Sequence, residues 1–119
     1  MLKYPNDMFF KRLDKELQNM CLNFSKVISL DVEATSGKRD TEQNAKVGGV
    51  GNSAHLTGKA IDIACTNGKD RHAILFASIA VGFKRIGIGK THIHLDIDES
   101  KPFPTVFFDN YDFEDFKKV

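Results

Sequence analysis

The chain has 119 residues, 41% of them hydrophobic and 28% charged, so length and composition predict a single globular domain over residues 1–119 and exclude an extensively disordered chain. Its 17 Lys and Arg residues nearly balance its 16 Asp and Glu residues, and no long run of one sign indicates nucleic-acid binding. No apolar stretch approaches the roughly 20 residues that cross a bilayer, which argues against membrane insertion.

The first third of the chain predicts one helix followed by a strand. Asn6 or Asp7 can cap a helix of about four turns, near residues 8–23, because apolar residues recur there at intervals of three and four. The β-branched run from Val27 to Val32 then predicts a strand. The N-terminus lacks the apolar core of a signal peptide, so we expect synthesis in the cytoplasm without one.

A polar, glycine-rich segment follows. Asp40 or Thr41 can cap a short helix that runs through Lys46, and the glycines after it predict a loop. No GxxxxGK[ST] or GxGxxG motif occurs, so a phosphate-binding loop is not favoured.

The second half predicts three strands and one helix. The strands are expected at 60–64, 85–89 and 92–97, and the helix at 70–81, with Gly82 ending it. That helix should carry His72, Leu75, Phe76, Ile79 and Ala80. We expect the tail to pack its aromatic residues on the core as a final strand or irregular flap; these include Phe107, Phe108, Tyr111, Phe113 and Phe116. The predicted fold class is α+β, with a small, mainly antiparallel sheet packed against helices.

The two cysteines lie in no metal-binding spacing. Cys21 and Cys65 are therefore predicted to be reduced and buried, and a disulfide between them is the less favoured alternative.

Histidine and aspartate residues concentrate in two stretches, S-A-H-L-T-G-K-A-I-D and H-I-H-L-D. Because side chains alternate along a strand, His92, His94 and Asp96 should share one face while the apolar residues between them point into the core. Asp62 lies between two isoleucines, where a carboxylate needs a partner or a metal to offset its desolvation. With His55, these groups offer the nitrogen and oxygen donors that suit Zn²⁺ with three protein ligands.

Three motifs in sequence order then carry a family resemblance: S-G-K-R at 36–39, S-A-H-L-T-G-K-A-I-D at 53–62 and R-I-G-I-G-K-T-H-I-H-L-D at 85–96. Together they resemble the M15 family of zinc D-Ala-D-Ala carboxypeptidases and phage-type L-alanyl-D-glutamate endopeptidases, in particular its small single-domain branch. The H-I-H triplet also resembles the amino-terminal signalling domain of hedgehog proteins, which shares this fold and zinc site. The resemblance implies that His55, Asp62 and His94 bind zinc.

The same resemblance places three further residues along a substrate cleft. Arg39 matches an arginine that meets a substrate carboxylate or carbonyl, a task that suits a planar guanidinium. Gln43 and Ser53 match positions lining the cleft. The alternatives are an ion pair of Arg39 with Asp40 or Glu42, an exposed helix position for Gln43, and a turn-forming role for Ser53.

The resemblance does not fix the group that accepts the proton of the attacking water. Relatives often carry an acidic residue three positions before the last histidine ligand, and hedgehog proteins carry Glu six before it, but Thr91 and Ile88 occupy those positions here. His92 is the best candidate, because it lies one strand repeat from His94 and titrates near neutrality. Asp96 is the other candidate, although its position matches a residue that orients a ligand.

Two functions follow from these assignments. The favoured one is a monomeric zinc peptidase that hydrolyses a bond in the stem peptides of peptidoglycan and acts on the cell wall if released. The alternative is a non-catalytic zinc module that binds a peptide or a partner protein in the same cleft. The usual zincin route is excluded, because the chain contains no H-E-x-x-H motif.

Overall fold

The computed structural model describes residues 1–49 and 51–109, and there the chain forms a six-stranded sheet packed against helices. The elements in chain order are β1 (Leu2–Lys3), α1 (Asp7–Lys11), α2 (Lys15–Val27), β2 (Val32–Ser36), α3 (Thr41–Lys46), a 3₁₀ turn (Ala54–Thr57), β3 (Ala60–Ala64), α4 (Gly68–Ala80), β4 (Arg85–Ile88), β5 (His92–Asp96) and β6 (Thr105–Phe108). This arrangement confirms the predicted α+β class.

The sheet has the strand order β1-β2-β3-β5-β4-β6 and is mixed. Its three inner pairs, β2 with β3, β3 with β5 and β5 with β4, are antiparallel, and these include the three strands expected from the sequence. The two outer pairs, β1 with β2 and β4 with β6, are parallel. Alternation of side chains can locate a strand in the sequence, but it does not reveal the direction of the neighbouring strand.

The single N-terminal helix predicted from the apolar periodicity is wrong, because the chain breaks at Asp14 into α1 and α2. The Asp14 carboxylate accepts a hydrogen bond from the backbone N–H of Glu16 at 3.0 Å and so caps α2, while its own N–H donates to the carbonyl of Gly58 at 2.9 Å. Leu13 and Leu17, on either side of the break, are both buried, so the apolar spacing continues across it.

The strand predicted from Val27 to Val32 is also wrong, because α2 continues to Val27 and β2 begins only at Val32. Phe24 and Ile28 pack into the core at the end of α2, and this tertiary packing overrides the strand preference of the β-branched residues. The backbone N–H of Val32 then donates to the carbonyl of Met1, where β1 joins the sheet.

The apolar pattern of helix α4 does not by itself show which face is buried. Its core-facing residues are Ile74, Ala77 and Ser78, whereas Phe76 and Ile79 are 66% and 64% exposed. The helix is apolar over most of its circumference, so periodicity cannot select its buried side. It also starts at Gly68 rather than Asp70, since the Asn67 side chain accepts from the Asp70 N–H and caps it.

The tail forms the final strand β6, in agreement with one of the two expected forms. Phe107 contacts the His94 ring, and the Arg85 guanidinium lies over it, whereas Val106 and Phe108 are each 57% exposed. Tyr111, Phe113 and Phe116 lie outside the described residues. Cys21 and Cys65 are free and buried, as predicted. None of the helices within residues 1–49 and 51–109 is long and apolar enough to cross a membrane.

Gly58 ends the 3₁₀ turn in the left-handed region, at φ 73°, and a Cβ there would lie 2.9 Å from the backbone oxygen of Arg12. Gly58→Ala is therefore expected to lower the free energy of unfolding by about 1–3 kcal/mol, as measured by urea denaturation. The matched control is Gly68→Ala at the start of α4, where a Cβ meets nothing within 4 Å. A control variant that loses as much stability as Gly58→Ala would contradict this explanation.

Candidate metal centre

Two adjacent strands and the turn before them bring the three predicted ligands together. Asp62 on β3 and His94 on β5 are direct partners in the antiparallel register, so their side chains stand side by side on one face of the sheet. His55 lies on the 3₁₀ turn, and the chain reverses at Gly58 to enter β3. All three residues are buried, with exposures of 2% for His55 and 7% for both Asp62 and His94.

The donor atoms of these residues are spaced for one small cation. Asp62 Oδ1 lies 3.2 Å from His55 Nε2 and 3.1 Å from His94 Nδ1. Ligands about 2.0–2.1 Å from a tetrahedral zinc ion are separated by roughly 3.3 Å, close to both distances. Each of the three residues offers one donor atom, and these three atoms all lie within 4.8 Å of one another. The three residues could therefore hold one metal ion.

Hydrogen bonds on the far side of each imidazole orient the two histidine rings. His55 Nδ1 donates to the backbone carbonyl of Gly37 at 2.7 Å, which leaves Nε2 facing Asp62. His94 Nε2 donates to Asp96 Oδ2 at 2.6 Å, which leaves Nδ1 facing the same carboxylate. Metal-binding histidines are typically held in this way, with the outer nitrogen bonded to a carbonyl or carboxylate.

The buried charges of this cluster stabilise one another. Burial alone would raise the pKa of Asp62, but hydrogen bonds from His55 and His94 outweigh it and hold that pKa well below its usual range. Burial would lower the pKa of His94, but its hydrogen bonds with Asp62 and Asp96 raise it to about 9. The two carboxylates therefore favour the protonated form of the His94 imidazole, and a bound cation would compete with that proton.

Arg39 forms an ion pair with the carboxylate of Asp62, one of the three predicted metal ligands. Its Nη2 donates to Asp62 Oδ2 at 3.2 Å, its Nε donates to Ser36 Oγ at 3.0 Å and its Nη1 donates to Asn44 Oδ1 at 3.2 Å. The guanidinium thus points into the cleft and not towards the acidic residues that follow it in the sequence. Because a guanidinium has five N–H donors, these three bonds leave two for other partners.

Of the two other residues expected along the cleft, Ser53 lines it and Gln43 does not. Ser53 is half-buried on the cleft wall, and its Oγ accepts from the backbone N–H of His55 at 3.2 Å. Gln43 is exposed on α3, where its side chain and that of Asp40 accept each other's backbone N–H in a capping box. The cleft is lined by other residues than Gln43.

Asp96 is almost fully buried, with an exposure of 1%, and both of its oxygens are in use. Oδ2 accepts from His94, while Oδ1 accepts from Arg85 Nε at 2.8 Å and from the backbone N–H of Asp98 at 3.0 Å. Arg85 lies over the ring of Phe107 at 5.0 Å. These contacts fit Asp96 for orienting His94, and they leave neither oxygen without a hydrogen bond.

His92 points into the cleft beside an acidic residue that the sequence analysis missed. His92 Nε2 donates to Asp109 Oδ2 at 2.7 Å, and the same oxygen lies 4.0 Å from His94 Nδ1. The hydrogen bond raises the pKa of His92 and lowers that of Asp109. Asp109 follows β6, and the parallel pairing of β6 with β4 brings it to the site.

The signal that could have revealed this approach is the glycine pair in R-I-G-I-G-K. A Cβ at Gly87 would lie 2.8 Å from the ring of Phe107 and 3.0 Å from the Cβ atoms of both Asp109 and His94. A glycine inside a strand often marks a place where other groups approach the backbone closely.

These groups border one cleft of about 530 Å³, which has a buried donor set at its base and basic, acidic and imidazole groups on its walls. Its lining includes Arg39, Ser53, His55, Asp62, His92, His94 and Asp109.

The chain was compared with curated proteins and with sequence models of protein families. None of the curated proteins compared with the chain matches it. The sequence model of the peptidase M15 family matches residues 9–98, a span that contains His55, Asp62 and His94. This match covers most of the chain, so the protein belongs to the peptidase M15 family, a family of zinc-dependent metallopeptidases.

Proposed function

We propose that this protein hydrolyses a peptide bond in the stem peptides of peptidoglycan, with a zinc ion held by His55, Asp62 and His94. The observation that carries the proposal is the convergence of these donors at the base of an open cleft, at distances of 3.1 and 3.2 Å. The cell-wall substrate is supported by the three motifs that resemble D-Ala-D-Ala carboxypeptidases and L-alanyl-D-glutamate endopeptidases.

Zinc bound here would polarise the scissile carbonyl and lower the pKa of a nearby water molecule towards about 7. Side chains of the protein bind the substrate and move the proton. The two N–H donors that Arg39 has left can bind a carboxylate or carbonyl of the stem peptide. His92 also lines the cleft, and its imidazole is needed for the movement of a proton from the attacking water to the leaving amine.

The proposal predicts release of new amine ends from purified cell-wall fragments by zinc-loaded protein, and loss of this release after treatment with a chelator. Mass spectrometry of the products identifies the bond, and so distinguishes a carboxypeptidase from an endopeptidase. His92→Ala should lower the rate by about 10²-fold if its imidazole takes part in proton transfer.

Two results would contradict the proposal. Release that survives His92→Ala would remove His92 from the mechanism. Zinc-loaded protein that binds stem peptides without cleaving them would instead favour a non-catalytic zinc module. Since the chain acts as a monomer in this proposal, the rate per molecule should not depend on protein concentration.

A further inference from the structure

Asp109 is a carboxylate at the metal centre to which no role has been assigned. Its backbone N–H donates to the carbonyl of Ile88 at 2.9 Å, so β4 fixes the chain at the point where the side chain leaves it. The side chain is 30% exposed and borders the cleft. It is therefore accessible to a substrate while its position is set by the sheet.

Two glycines of the β4 segment make room for this carboxylate and its partner. A Cβ at Gly87 would lie 3.0 Å from Asp109 Cβ, and a Cβ at Gly89 would lie 2.2 Å from Cε1 of His92. Since real Cβ atoms do not approach other atoms this closely, side chains at these positions would displace both groups. Asp109 and His92 therefore pack directly against the backbone of Gly87 and Gly89.

Both members of the pair approach the metal ligand Asp62, because one donor atom each of Asp62, His92 and Asp109 lies within 4.8 Å of the other two. Asp109 also approaches His94. Its Oδ2 lies 2.7 Å from His92 Nε2 and 4.0 Å from His94 Nδ1. The second distance is too long for a direct hydrogen bond, so Asp109 lies beside the donor set without being bonded to His94. The His92 ring lies against Gly89, and its Nε2 donates a hydrogen bond to Asp109.

We infer that Asp109 accepts the proton of the attacking water during peptide hydrolysis, and that His92 is a positioning residue acting through it. This inference rests on the proposed peptidase function. The water oxygen bonds to the scissile carbonyl carbon while one water proton passes to Asp109 Oδ2. The C–N bond then breaks, and the same proton passes to the leaving nitrogen, so water is the only co-reactant.

The inference is tested with Asp109→Asn, which keeps the shape of the side chain and removes its ability to accept a proton. We expect kcat to fall by about 10²–10⁴-fold with KM nearly unchanged. Zinc affinity, measured by competition with a chromogenic chelator, should change by less than about threefold, because His55, Asp62 and His94 hold the metal in the proposed site. If the metal were held instead by the second possible donor set, Asp62, His92 and Asp109, zinc affinity would fall strongly. The matched control is Asp31→Asn, at an exposed aspartate that pairs with the N-terminal ammonium and Lys3; it should leave both quantities unchanged.

A double-substitution cycle tests the role of His92. If His92 acts through Asp109, His92→Gln combined with Asp109→Asn should be no slower than Asp109→Asn alone. The imidazole N–H resonance of His92 in zinc-loaded protein should also shift in Asp109→Asn and not in Asp31→Asn. Independent, multiplicative losses would instead place the two residues in separate steps.

Each other outcome is decisive. Turnover that survives Asp109→Asn in an active protein would overturn the inference and leave the peptidase function standing. A loss of zinc affinity of tenfold or more would identify Asp109 as a metal ligand and overturn it as well. If zinc-loaded wild-type protein cleaves no stem peptide, the proposed function fails, and the inference fails with it.

Discussion

His94→Ala is expected to weaken zinc binding by at least about 100-fold and to abolish peptide hydrolysis, because it removes one of three protein donors to the metal. His94 is 7% exposed, and its Nδ1 lies 3.1 Å from the carboxylate that it would share with the ion. The alanine also leaves Asp62 and Asp96 without their shared imidazole. Zinc content after dialysis, followed by the assay on cell-wall fragments, measures both effects.

The control for this substitution is His72→Ala, the same change at an exposed histidine of α4. It should retain wild-type zinc content and activity, because His72 borders neither the cleft nor the donor set. Circular dichroism of both variants separates metal loss from unfolding. A folded His94→Ala protein that retained zinc as tightly as the wild type would remove His94 from the ligand set.

The part of the site that could be predicted from the sequence depends on local geometry. Alternation along one strand places His94 and Asp96 on the face opposite Ile93 and Leu95, and both of these isoleucine and leucine side chains are indeed buried in the core. The convergence of His55 with Asp62 depends only on a short turn and the strand after it. Such features need no knowledge of distant pairing.

The parts that escaped prediction depend on contacts between distant segments. Asp109 reaches the site because β6 lies parallel to β4, and the alternation of side chains along a strand does not reveal that direction. The break at Asp14 depends partly on its backbone hydrogen bond to Gly58, which is far away in the sequence. The buried face of α4, which includes Ile74, Ala77 and Ser78, likewise depends on packing against other segments and not on the apolar spacing within the helix.

Arg85 is the residue whose loss we expect to cost the most stability. It is 9% exposed and its Nε donates to Asp96 Oδ1 at 2.8 Å, deep beneath the metal centre. It also donates to the carbonyl of Pro102 and lies over the ring of Phe107. Removing one partner of a buried ion pair leaves the other charge without compensation, which typically costs about 3–5 kcal/mol.

Arg85→Ala is therefore expected to lower the free energy of unfolding by about 3–5 kcal/mol, as measured by urea denaturation of the zinc-free protein. Zinc affinity should fall by about 10–100-fold as well, because Asp96 would hold the His94 ring less firmly. Arg12→Ala removes an exposed arginine and should change stability by less than about 0.5 kcal/mol. If Arg85→Ala lost stability but bound zinc with wild-type affinity, Asp96 would position His94 without help from Arg85, and the arginine would serve the fold alone.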